Sequence, residues 1–125
     1  MIHLEASSLS DLFSTAGRAL MEWMGPAPPE LPEFREEITV EAEGYEELLV
    51  RWLQELLYLF HQKHAYLLQV STIEVAQSRV EAVIHCRAWD ESCAPAFQEV
   101  KAITYHKLHV DHYGGVWQAN IILDI

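Results

Sequence analysis

The sequence predicts an α+β domain: two helices packed on a largely antiparallel sheet, in a βαββαβ-like order that closes with a C-terminal β-hairpin. Three observations predict it. The stretches 9–24 and 45–62 repeat apolar residues at helical spacing. After His64 the pattern shifts towards the two-residue alternation of strands. A Gly114-Gly115 pair, which tolerates positive φ, divides the last of these runs into a hairpin. The chain has 125 residues, half of them apolar. A single domain of that size, 1–125, can bury about two thirds of its unfolded surface.

Each element has its own warrant. Ile2 to Ala6 alternates as a half-buried strand does. Ser8 can cap the first helix with its hydroxyl, and Asp11 can answer as in a capping box while favouring the positive helix N-terminus. Leu9, Leu12, Phe13, Ala16, Ala19, Leu20, Trp23 and Met24 then form one apolar face, and Gly25-Pro26 stops the helix. Pro26 to Pro32 holds four prolines and is an extended connection. Ile38, Val40 and Ala42 alternate with Thr39, Glu41 and Glu43, a strand with one wet face.

The second helix, Tyr45 to Gln62, carries Leu48, Leu49, Trp52, Leu53, Leu56, Leu57, Leu59 and Phe60. A band that wide belongs to a helix buried on more than one side. Burying each of those large side chains is worth roughly 1.5–3 kcal/mol. Tyr66 to Ala76 and Ser78 to Trp89 are two strands turning near Gln77-Ser78. Asp90 to Gln98 is a polar loop, and Val100 to Tyr113 with Val116 to Ile125 is the final hairpin.

Charge excludes some functions. Nineteen acids face eight Lys and Arg, a formal charge of −11. The field of such a domain repels phosphate backbones and no basic stripe offsets it, so direct nucleic-acid binding is not expected. A basic protein partner or a cation fits better. Residues 1–62 hold 12 acids and 3 bases against 7 and 5 in residues 63–125, and the densest run is Glu30 to Glu47. Cys86 and Cys93 match no zinc spacing and make no disulfide framework, which suits a reducing cytoplasmic compartment. The apolar run Leu48 to Phe60 is broken by Arg51, Gln54 and Glu55, so no membrane span is expected. The N-terminus lacks the basic-then-apolar order of a signal peptide.

Few residues offer chemistry. On the last strand Trp117, Ala119, Ile121, Leu123 and Ile125 share one face. Gln118, Asn120, Ile122 and Asp124 share the other, more polar one. A carboxylate at Asp124 can ligate calcium or magnesium, although on pattern alone it is a solvated terminal acid. Lys101, amid Val100, Ala102 and Ile103, reads as a strand-edge lysine. His106, His109 and His112 cannot converge on a regular strand, because His109 faces away and the other two are about 20 Å apart. Phosphate-cradling glycine loops and nucleophile elbows are missing from the sequence.

Several segments resemble the archease family. Glu46-Glu47-Leu48-Leu49-Val50-Arg51-Trp52-Leu53-Gln54-Glu55-Leu56-Leu57-Tyr58 is similar to its second helix, and Val100-Lys101-Ala102-Ile103-Thr104-Tyr105-His106 to its signature strand. Trp117 to Ile125 is similar to its C-terminus, and Ser8 to Phe13 to the opening of its first helix. The resemblance implies an α+β fold and an accessory, non-enzymatic role. It implies promotion of guanylylation and multiple turnover of an RtcB-type RNA ligase in tRNA splicing and RNA repair. It also implies a divalent cation, calcium or magnesium, held by Asp124 and the main chain of Ile125, and an activating role for Lys101.

Two departures accompany it. The family's His-Thr-Ala-Asp motif, whose Asp is the other acidic ligand, aligns just before Met1. That implies either a start further upstream or a metal site with half its acids. A Gly-Glu pair of the family is replaced around Arg87-Ala88-Trp89. Two other functions compete: a metal-dependent phosphoester hydrolase, which requires turnover by the isolated chain, and a general chaperone-like binding module, which requires protection of unrelated clients.

Overall fold

A computed structural model describes residues 1–104 and 109–125. Its elements are β1 (Ile2–Ala6), α1 (Leu9–Met24), β2 (Glu33–Glu41), α2 (Tyr45–Gln62), β3 (Ala65–Val75), β4 (Arg79–Ala88), β5 (Ala102–Tyr113) and β6 (Val116–Asp124), with a 3₁₀ turn at Ala94–Ala96. Both helices therefore precede the last four strands, so the βαββαβ shorthand resolves into βαβα followed by four strands. The fold class is α+β, with antiparallel sheets and two helices.

The strands form two three-stranded sheets, ordered β1-β6-β5 and β2-β4-β3, where the sequence pattern leads one to expect a single sheet. Every pairing is antiparallel. α2 packs against strands of both sheets, β5 on one side and β2 and β3 on the other. Its wide apolar band follows from that position: Leu48, Leu49, Val50, Trp52 and Leu53 are completely buried. α1 crosses α2, and the Trp52 indole N–H donates to the Phe13 carbonyl at 2.9 Å across the crossing.

Ser8 caps α1 as expected, its Oγ accepting from the Asp11 N–H at 3.1 Å. The return half of the box is absent; the Asp11 carboxylate accepts from the Ser7 hydroxyl instead. α1 stops at Gly25, whose φ of 150° lies in the range that favours glycine. The chain between β4 and β5 docks on this helix end. The Gln98 N–H of that connection donates to the Met24 carbonyl at 2.6 Å, while from β3 the Tyr66 hydroxyl donates to the Gly25 carbonyl at 2.7 Å. That loop leads directly into Lys101. Gly114 and Gly115, at φ 60° and 80°, turn the closing hairpin.

β2 begins five residues before the alternation at Ile38 announces it. It is an edge strand beside β4, and its first half is charged on both faces. Glu36, on the inward row, is neutralised by Lys63.

Candidate functional site

Lys101 and Asp124 meet where β5 begins and β6 ends. Ala102 pairs with Asp124 and Ile103 with Leu123. One step further out, the Lys101 N–H donates to the Asp124 carbonyl at 2.7 Å. The β6 alternation holds as read from sequence: Ala119 and Ile121 are buried, so Asn120, Ile122 and Asp124 belong to the opposite face. Asp124 and Ile125 are both exposed, Ile125 at 65%. Lys101 is exposed as well and lines a shallow cleft of about 270 Å³ against the end of α2, with Gln54, Tyr58, His61 and Gln62. The two residues are thus joined through the backbone, while the lysine fronts α2 and the carboxylate sits on the polar face of its sheet.

Charge pairing separates Lys101 from most other bases. Arg35, Arg51, Lys63, Arg79 and Arg87 each lie within ion-pair distance of a glutamate. Among the described residues Lys101 and Arg18 do not. No carboxylate lines the Lys101 cleft.

The oxygen donors at Asp124 are few. Among the described residues no three His, Cys, Asp or Glu side chains converge as a metal site would require. The Asp124 carbonyl is already engaged by Lys101. The two donors expected from the sequence, the Asp124 carboxylate and the main chain of Ile125, would amount to only a part of the six to eight oxygens that calcium takes. His106 lies outside the described residues. His109 pairs with Asn120, whereas His112 stacks on Trp117 at 4.4 Å, three residues on and facing the other way. His3 bonds Asn120 at 2.7 Å and Glu5 at 3.2 Å, and those two bonds, Asn120 first, hold its pKa above the ordinary histidine value.

Arg87-Ala88-Trp89 does structural work. The Arg87 guanidinium donates to the Pro28 carbonyl at 3.0 Å and tethers the proline loop. The Trp89 indole N–H donates to Phe60 at 3.0 Å and its ring packs on Phe60 and Phe97. Cys86 is buried, and burial pushes its thiol up to about 12, which removes it from thiolate chemistry.

The whole chain, residues 1–125, matches the model of the Archease protein family (MTH1598/TM1083). The chain belongs to the archease family. A protein archease from Methanopyrus kandleri is 32% identical over 128 residues, covering 96% of this chain and 88% of that one. Among archease-fold structures, Methanobacterium thermoautotrophicum protein 1598 is 25% identical with a TM-score of 0.66, covering 98% and 89% of the two chains. The Thermotoga maritima archease, described as a possible chaperone, is 17% identical with a TM-score of 0.67 over 99% of this chain and 88% of that one, a likeness of fold. Among the described residues no helix is long and apolar enough to cross a membrane.

Sequence reasoning placed Lys101, Asp124 and Ile125 separately but missed Tyr58. It stands 56% exposed on α2, between the Lys101 cleft and a larger one. The available signal was the stripe Arg51, Gln54, Glu55, Tyr58, in which one aromatic interrupts an otherwise polar helix face.

Proposed function

We propose that this archease activates an RtcB-type RNA ligase, promoting guanylylation of the ligase and its multiple turnover in tRNA splicing and RNA repair, and that it is not itself an enzyme. The observation that carries this reading is the pairing of Lys101 with Asp124 at one strand end, with the Lys101 ammonium uncommitted to any described carboxylate. Side chains with a structural role are engaged; this one is free to reach a partner. A ligase that handles RNA and nucleotide must be basic, and a chain of charge −11 is drawn to such a surface and repelled by the RNA itself.

Asp124 and the main chain of Ile125 contribute oxygens to a calcium or magnesium ion, with water and the ligase completing its shell. When bound, the cation supplies charge neutralisation beside phosphate. Lys101 needs no cation for its own part, which is to place a positive charge against an anionic group of the partner.

The test is multiple-turnover RNA ligation by the cognate ligase with GTP and divalent cation. Addition of the chain is expected to raise turnover well above the ligase alone, with the gain lost in Lys101→Ala and in Asp124→Ala. If the wild-type chain leaves turnover unchanged, the ligase reading is wrong.

A further inference from the structure

A cleft of about 770 Å³ lies between β2 and α2 and is walled by Val40 and Glu41 on one side and Gln54, Glu55 and Tyr58 on the other. It runs on into a second hollow of about 520 Å³ through the shared residues Glu41 and Arg51. One wall is a sheet edge: among the described residues β2 pairs only with β4, which leaves one side of its backbone without a strand partner. The other wall carries Tyr58, at 56% exposure, on a helix whose leucines, Val50, Trp52 and Phe60 are all buried. The half-buried Glu55 carboxylate makes no hydrogen bond or ion pair with any described residue.

The electrostatics select the occupant. Five carboxylates (Glu41, Glu43, Glu47, Glu55 and Glu81) stand in or beside the trough against two guanidiniums (Arg51 and Arg79), an excess of three negative charges. Both guanidiniums are already paired, Arg51 with Glu47 and Arg79 with Glu41 and Glu81. A nucleic acid is repelled. A second copy of this chain pairing antiparallel through β2 about Glu37 would set Glu37 against its own counterpart and Glu33 against Glu41, with Arg35 opposite Thr39, and like charges directly opposite destabilise a strand pair.

We propose that this trough docks an extended, arginine-bearing segment of a protein partner. The segment adds as a strand to the free edge of β2, so main-chain hydrogen bonds supply affinity and alternate side chains supply specificity. An inward-facing arginine lays its planar guanidinium on the Tyr58 ring and pairs with Glu55, which a lysine ammonium cannot do simultaneously. The inference goes beyond the ligase reading, since it names no ligase and leaves Lys101 untouched.

The test uses the full chain and a capped hexapeptide alternating valine and arginine, followed by amide NMR and hydrogen exchange. Binding is expected to saturate, with shifts confined to residues 33–41 and 51–58 and new protection of β2 amides. Tyr58→Ala should weaken it about threefold or more while Tyr58→Phe retains it, and the lysine version of the peptide should bind less well. The inference is overturned if shifts spread evenly over the acidic surface or if Tyr58→Ala binds like wild type. Concentration-dependent self-association through β2 would overturn it as well. The substituted side chain is exposed, so the fold survives and a null result counts.

Discussion

Gly25→Ala is expected to destabilise the protein by about 3 kcal/mol and to blunt the proposed ligase activation, although Gly25 lies outside the Lys101–Asp124 site. Two costs add. At φ 150° an L-residue occupies a region that is nearly glycine's own, at roughly 1–3 kcal/mol. A Cβ there would also sit 2.6 Å from the Ala96 carbonyl oxygen and 2.9 Å from the Phe97 ring. The first of these is backbone, so the 89–101 loop must move, and overpacking of this kind costs typically 1–3 kcal/mol. With an unfolding entropy of about 2.1 cal/mol/K per residue, each kcal/mol is worth ~4 °C in a chain of this length, giving a Tm lower by roughly 11 °C. Thermal unfolding followed by circular dichroism measures it. The functional consequence follows from connectivity: the displaced loop holds the Gln98 N–H on Met24 and then delivers Lys101 to β5. A Tm within about 3 °C of wild type would refute the packing argument. A large Tm loss with full activation would refute the link from loop to lysine.

Three further outcomes are expected. Lys101→Ala and Asp124→Ala should leave stability within about 0.5 kcal/mol of wild type, because both side chains are exposed and unpaired among the described residues and the bond between the two residues is main-chain; urea unfolding checks this, and a large loss would make their roles structural. Iodoacetamide at pH 8 should modify Cys93 in the native protein and reach Cys86 only after unfolding, since burial holds the Cys86 thiol near 12; mass spectrometry of the native adduct decides. Asn120→Ala should lower the raised His3 pKa towards the ordinary value, with Glu5 keeping part of the rise, as read by imidazole NMR titration. The two bonds favour the protonated imidazole, so the stabilising contribution of His3 is complete below its ordinary unfolded value and fades as pH rises through the raised folded one.

What could be read from the chain alone was whatever is encoded locally. α2 announced itself because burial against two sheets leaves only a narrow polar stripe, and its bounds matched the structure. β6 was legible down to the face of each side chain, since Ala119 and Ile121 point into the core. The start of β2 was not: Glu33 to Glu37 lies at a sheet edge, where solvent and ion pairs on both faces erase the alternation. The division into two sheets was also hidden, because alternation says that a strand has a buried face and not which strand lies beside it. The meeting of Lys101 with Asp124 was harder still. The β5–β6 register changes between Thr104 and His109, so counting back from the Gly114-Gly115 turn sets the wrong residue opposite Asp124.

The surface around Tyr58 carries both signs in a fixed order, and that constrains how any partner sits. On the β2 side the trough has a three-charge acidic excess; on the β5 side the cleft is lined by Lys101, His61, Gln54 and Gln62 with no carboxylate. Tyr58 and Gln54 belong to both. A partner that places a basic segment in the trough must therefore bring its anionic group to Lys101, because rotating it by half a turn sets like charges together at both ends. Such like-charge juxtaposition costs several kcal/mol and fixes register more than it adds affinity. Reversing the sign at one end alone, by Lys101→Glu, should then weaken association beyond what Lys101→Ala does, and the excess should shrink as salt is raised. Equal effects of the two substitutions at low salt would mean that Lys101 acts without orienting its partner.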